Sequence, residues 1–178
     1  ELAANVDKIK LGTAILFTLP GTPYMYYGEE LGMQGKKPDE LIREPFLWTT
    51  NNDTMRTTWL KPVYNSEAQT RPLTVQQNDL SSIYYQYKNF IQLRNNNPVL
   101  SSGSIEVMPF DNKKVLVFKR HLGNKTVLVM HNLSGDAIEL DFNMLQWKQR
   151  NLVFTTGHYG FSTEDVFELK PFSSVIIE

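Results

Sequence analysis

Two carboxylates in succession, Glu29 and Glu30, follow an apolar run, Thr22-Pro23-Tyr24-Met25-Tyr26-Tyr27-Gly28. The C-terminal end of a buried strand is where α/β folds place active sites, and paired carboxyl groups suggest acid–base work. Adjacent residues on an extended chain point to opposite faces, however. The two therefore do not flank one scissile bond: at most one faces a site, and a structural salt bridge is an equal reading. Arg43 and Glu44 lie near Phe46, Trp48 and Trp59. Arg and aromatic side chains suit a polar, flat-faced ligand such as a sugar; a loop pinned by its own ion pairs and aromatics is equally compatible. His121, His131 and His158 have no His or carboxylate at metal-site spacing, and read as solvated or core-satisfied imidazoles. No G-x-S-x-G, P-loop, H-E-x-x-H or G-x-G-x-x-G pattern occurs, so those mechanisms have no support. Three glycosylation sequons, at Asn52, Asn124 and Asn132, carry little weight because such triplets are common by chance.

The elements that must position these residues fall into two textures. Val6 to Leu19 has helical spacing and is apolar nearly all round at Ala14–Leu19, which implies burial on more than one side. Pro20-Gly21 stops it. The run Thr22–Gly28 then reads as a buried strand of a parallel sheet. Residues 29–78 are long and irregular, with six Pro or Gly positions and only scattered apolars. Loops of such length are usually functional or disordered; the aromatics and the mixed charges Arg43/Glu44 and Asp53/Arg56 favour a functional surface loop. Asp79 is placed to cap a helix running through Arg94, with Leu80, Ile83, Tyr84, Tyr87, Phe90 and Ile91 on its periodic face.

After Pro98 the pattern shortens. Ile105–Phe110, Val115–Lys119, Thr126–Asn132, Ala137–Phe142, Asn151–Thr155, Val166–Leu169 and Ser174–Ile177 are separated mostly by turn signals. Seven short strands at this spacing predict an antiparallel sandwich or barrel. The expected domains are residues 1–98 and 99–178.

The chain has 178 residues, 18 basic and 19 acidic, with no cysteine. Residues 1–97 carry 10 charges of each sign and residues 98–178 carry 8 basic against 9 acidic. With no basic field, nucleic acid and anionic membranes are excluded as expected partners. The lack of Cys removes disulfides and thiolate metal sites but does not choose a compartment. The most apolar run, Thr13–Leu19, is far short of the roughly 20 residues that span a bilayer, so a soluble chain is expected. The first ten residues lack both an initiator Met and a signal-peptide core, which suggests a piece of something longer.

Leu19-Pro20-Gly21-Thr22-Pro23-Tyr24-Met25-Tyr26-Tyr27-Gly28-Glu29-Glu30 resembles the last barrel strand of the α-amylase family of glycoside hydrolases (family 13). Gly32-Met33 and Lys37-Pro38-Asp39-Glu40-Leu41-Ile42-Arg43-Glu44-Pro45-Phe46-Leu47-Trp48 are similar to the loop that follows it. Tyr87-Lys88-Asn89-Phe90-Ile91-Gln92-Leu93-Arg94 with Asn97-Pro98-Val99-Leu100 and Gly103 is similar to the last barrel helix and its exit. The β-rich remainder, ending Phe172-Ser173-Ser174-Val175-Ile176-Ile177, resembles the family's C-terminal sandwich. The resemblance implies an α+β fragment: the last βα part of a TIM barrel (helix 7, strand 8, a long loop, helix 8) followed by an antiparallel β-sandwich.

It also implies activity for the parent, a retaining enzyme acting on α-1,4-glucans or malto-oligosaccharides. Such enzymes use a nucleophile and an acid/base about 5–5.5 Å apart. In the family these are an Asp after strand 4 and a Glu after strand 5, with a further Asp after strand 7 that binds the distorted sugar. All are expected upstream of residue 1, so no catalytic residue is assigned here and the isolated chain is expected to be inactive. Substrate contacts are expected from Arg43, Asp39 and Glu40, while Tyr26, Tyr27 and Gly28 pack the barrel. No cofactor or metal ligand is expected in this chain; calcium belongs to the parent, with its ligands mainly upstream. The alternative is a non-catalytic carbohydrate-binding or structural sandwich module. A strand at Tyr24–Tyr27 left with bare edges predicts pairing with a second copy, collapse on the sandwich, or poor order.

Overall fold

The computed structural model describes residues 5–157, 160, 161, 163 and 165–178. His158 and Tyr159 lie outside them. The chain divides into two compact units, Glu1–Ile9 with Tyr24–Asn89, and Lys10–Pro23 with Phe90–Glu178. Residues 10–23 and 90–97 thus pack in the same unit as the β-rich segment.

In that second unit all seven expected strands form, as β1 (Ser104–Val107), β2 (Val115–Leu122), β3 (Lys125–Asn132), β4 (Ile138–Asp141), β5 (Leu152–Thr155), β7 (Val166–Leu169) and β8 (Ser174–Ile177). A further two-residue strand, β6 (Gly160–Phe161), pairs with β7 and is too short to leave a sequence signal. Every pairing is antiparallel. One sheet has the order β1-β2-β3-β8-β5 and the other β4-β7-β6, the sandwich that period-2 patterning implies. Gly123 takes φ 60° between β2 and β3, the left-handed setting that a two-residue hairpin turn wants at its first position.

One face of the larger sheet sends Val115, Val117, Leu128, Met130, Val175 and Ile177 against Ile138, Leu140, Phe167 and Leu169 of the smaller. Each fully buried side chain of this kind contributes about 1.5–3 kcal/mol. The other face is buried too: Phe118, Arg120, Val127, Val129, His131 and Ile176 are all inaccessible to solvent. This burial on both faces explains why β3 reads as an almost unbroken apolar run rather than a clean alternation. Helix α4 (Pro98–Ser102) packs on β2 and β3, and Phe90 meets Phe154 edge-on with ring centroids 4.8 Å apart.

Arg94 and Arg120, both buried, hold the end of α1 (Val6–Thr18). Arg94 donates to the carbonyls of Phe17, Leu19 and Gly21 at 2.7, 2.9 and 2.6 Å. Arg120 donates to Thr18 O, to Gly103 O at 2.7 Å and to Ser104 O at 3.2 Å. A helix C-terminus is the negative end of the macrodipole and leaves carbonyls unpaired, so two guanidiniums there satisfy both needs.

The first unit is mostly turns. Thr22–Gly28 forms no strand, against expectation. Tyr24 is 84% exposed and Tyr26 50%. A strand needs a neighbour for its ladder, and none is paired with this segment among the described residues. Asp79 does not cap the following helix either. After the short α2 (Leu73–Gln76), helix α3 (Ile83–Asn96) starts beyond Asp79, and the Ser82 hydroxyl accepts from the Tyr85 amide at 3.2 Å, the capping geometry. Asp79 instead binds Ser81 and forms an ion pair with Arg71 at 2.8 Å.

Candidate functional site

The long region of the first unit lacks ladder hydrogen bonds, so its buried backbone groups need other partners. Side chains supply them. Glu44 is 1% exposed. Its carboxylate accepts from the backbone amides of Val63, Tyr64 and Asn65 at 2.7, 3.0 and 2.9 Å, and from Asn65 Nδ2 at 2.9 Å. Asn65, fully buried, also bridges both backbone groups of Gln34 at 2.8 and 2.7 Å and accepts from Thr70. Arg56 donates to the carbonyls of Asn65 and Pro45 at 2.7 and 3.3 Å. Burial alone would raise the Glu44 pKa. The hydrogen bonds from Tyr64, Val63 and Asn65 outweigh that and hold it below the usual carboxylate range, because each stabilises the charged form.

This frame presents a short 3-10 turn, Asp39–Ile42, and the next residue, Arg43. Gly35 lets the chain pass close behind: a Cβ there would lie 2.7 Å from Ile42 Cα. Arg43 pairs with Asp39 at 3.5 Å, both side chains more than half exposed, and Glu40 is exposed on the same turn. An open pair like this contributes at most about 1 kcal/mol, so its polar groups are free to exchange partners. Tyr27 ties the preceding segment in, donating to Glu44 O at 3.2 Å. Its pKa is raised, by burial first and then by Tyr26, while the Arg43 charge pulls it the other way. Tyr24, Tyr26, Tyr27, Trp48 and Trp59 are all substantially exposed; Tyr26 lies against Tyr27, and Phe46 against Trp48, at centroid distances of 4.8 and 4.5 Å.

Sequence reasoning named Arg43, Asp39 and Glu40, and the structure puts all three on one turn. The mixed charges Arg43/Glu44 and Asp53/Arg56, one reading of which is a loop pinned by ion pairs, do not pair with each other. Glu44 turns inward to amides, and Asp53 accepts from the amides of Trp48, Thr49 and Met55. Nor do Glu29 and Glu30 form ion pairs among the described residues. Glu29 accepts from Tyr87 at 3.4 Å and Glu30 from the Gly28 amide at 2.8 Å. Tyr26 and Tyr27, expected to be packed, are half exposed. Glu44 as the frame's centre was missed: its partners lie 19 to 21 residues away, a separation with no periodic signal. His121 binds Glu106 and Thr126 at 3.1 and 2.9 Å, and His131 is a core-satisfied imidazole. Among the described residues no three His, Asp or Glu side chains cluster as metal ligands.

The family model described as the α-amylase catalytic domain matches residues 2–103, more than half of the chain. The chain belongs to the α-amylase family. The model of the maltogenic amylase C-terminal domain matches residues 105–176. Alpha-amylase 3 of Dictyoglomus thermophilum is 35% identical over 98% of this chain and 34% of its own length. A 4-alpha-glucanotransferase of Thermotoga maritima is 34% identical over 74% of this chain and 31% of its own. The crystal structure of an alpha-amylase from H. orenii superposes with a TM-score of 0.85 at 29% identity, over 99% of this chain and 36% of that one. This α-amylase-family chain therefore spans between about a fifth and a third of the length of the curated relatives it matches, and those relatives include both hydrolases and transferases.

Proposed function

We propose that the chain is the C-terminal part of a retaining α-amylase-type glycoside hydrolase acting on α-1,4-glucans, and that it supplies wall and rim of the glucan cleft without the reacting carboxylates. On this reading residues 1–98 are the end of the catalytic barrel and residues 99–178 the sandwich domain. The observation that carries it is the Asp39–Arg43 turn, held from behind by Glu44, with half-exposed Tyr27 bonded to the adjoining carbonyl. Arg43 donates to sugar hydroxyls, Asp39 and Glu40 accept from them, and aromatic faces stack on the apolar faces of the rings. Calcium, which the resemblance assigns to the parent, draws no ligand from this chain.

The sandwich module reading is weaker, because its candidate aromatics are packed: Phe118, Phe142, Trp147 and Phe167 are buried. The exposed Tyr24–Tyr27 segment is assigned a second copy of the chain as its partner in isolation, which sedimentation at rising concentration checks. The principal test is incubation of the pure 178-residue chain with maltoheptaose. No reducing ends above buffer are expected; hydrolysis abolished by a substitution within this chain would overturn the assignment.

A further inference from the structure

His131, on β3, is completely buried and bonded at both ring nitrogens. Nε2 lies 3.0 Å from Thr18 Oγ1, at the end of α1, and Nδ1 lies 2.7 Å from Ser174 Oγ, on β8. The proton positions follow by elimination. Thr18 has one hydroxyl proton and gives it to Ala14 O at 2.7 Å. Its oxygen must then accept from Nε2–H, which leaves Nδ1 as the bare nitrogen, accepting from the Ser174 hydroxyl. The neutral ring therefore joins the last turn of α1 to two strands.

The surroundings disfavour a charge on this ring. Arg120 of β2 donates to the carbonyl of the same Thr18, and Arg94 of α3 holds the carbonyls on either side. Phe118 of β2 lies 5.7 Å from the ring by centroids. α1 carries Asp7, Lys8 and Lys10, all two turns or more before Thr18; β8 and α4 bring no ionisable group. Glu106 of β1 is engaged by Lys119 and His121, which by strand parity lie on the opposite face of the sheet from His131. A second proton would enter at Nδ1, force the Ser174 hydroxyl to rotate and find a new acceptor, and leave a buried imidazolium with no carboxylate bonded to it among the described residues.

We infer that His131 is a proton-operated latch: uptake of one proton at Nδ1 drives the ring to solvent and releases the last turn of α1 from the larger sheet. Burial with no compensating anion holds the imidazole pKa near 3 in the closed state, against about 6.5 when solvated. The closed state is thus fully favoured above pH 6.5, and is progressively lost as pH falls toward 3. The opening constant rises about tenfold per pH unit in that window.

The test is amide exchange of the 178-residue chain from pH 7 to pH 4.5, corrected for intrinsic rates. Protection at residues 15–19 is expected to fall about tenfold per unit below pH 6, while residues 128–130 and 175–177 hold theirs. His131→Gln keeps a donor for Thr18 and an acceptor for Ser174 but does not titrate, and should abolish the dependence. It retains every other titratable group, so any dependence that survives belongs to those groups and overturns the latch. Should that variant not fold, imidazole resonances of the wild-type chain decide: titration of His131 without loss of protection at 15–19, or unchanged protection at those residues down to pH 4.5, overturns it as well.

Discussion

The two units solve one problem with opposite signs. Each buries irregular backbone that no helix or sheet ladder satisfies. In the first unit the groups in need are amides, and one buried carboxylate, Glu44, receives three of them. In the second they are the carbonyls at and beyond the end of α1, and two buried guanidiniums donate to them. A buried charge is tolerated when hydrogen bonds replace its hydration. The lesson is that each charge is placed by the polarity of the backbone it serves, and neither needs an oppositely charged side chain.

The comparison breaks most visibly at Arg120. Arg120→Ala leaves two or three buried carbonyls without donors, at about 1–3 kcal/mol each, and adds a cavity. A loss of about 3–5 kcal/mol in urea unfolding is expected, with the sandwich affected throughout. Glu44→Ala should follow at about 2–4 kcal/mol from the same reasoning, with exchange at residues 63–65 accelerated and the β3–β8 ladder untouched. Equal loss of protection in both units for either variant would show that the two frames are not separate.

Acid sharpens the contrast. The Glu44 pKa is depressed on folding, so its contribution is present above the unfolded value of about 4.3 and lost as pH falls through the folded one. The His131 pKa is depressed as well, but its contribution begins to fail already below about 6.5. Exchange should therefore rise first at the end of α1 and only below pH 4.3 at residues 63–65. The smallest stability effect belongs to Arg43. Its pair with Asp39 is exposed, so Arg43→Ala should shift unfolding by less than about 0.5 kcal/mol.

What could be read in advance follows the same division. Short apolar runs separated by turn signals put seven strands in place, with Val115/Val117, Leu128/Met130 and Val175/Ile177 sharing one buried face. The run Thr22–Gly28 takes no strand form here, and an apolar stretch looks alike in sequence whether it is paired or bare. Ser82 rather than Asp79 caps α3, a slip of three residues between two good capping types. The resemblance named Asp39, Glu40 and Arg43, but the short turn that carries them leaves no periodic signal of its own. The inward turn of Glu44 was not legible either, since its partners Val63–Asn65 are fixed by loop closure and by no repeating pattern. The role of Arg120 was equally hidden, because a charged residue in a strand is ordinarily read as pointing to solvent.

The Asp39–Arg43 turn is proposed above as a glucan-binding rim. Its most direct measurement is titration of the 178-residue chain with maltoheptaose, followed by the fluorescence of its exposed tryptophans, for wild type and Arg43→Ala side by side. Millimolar binding by the wild-type chain is expected, weakened about tenfold in the variant, consistent with loss of one charged hydrogen bond. Equal binding by the two chains, or no binding by the wild-type chain, would contradict it.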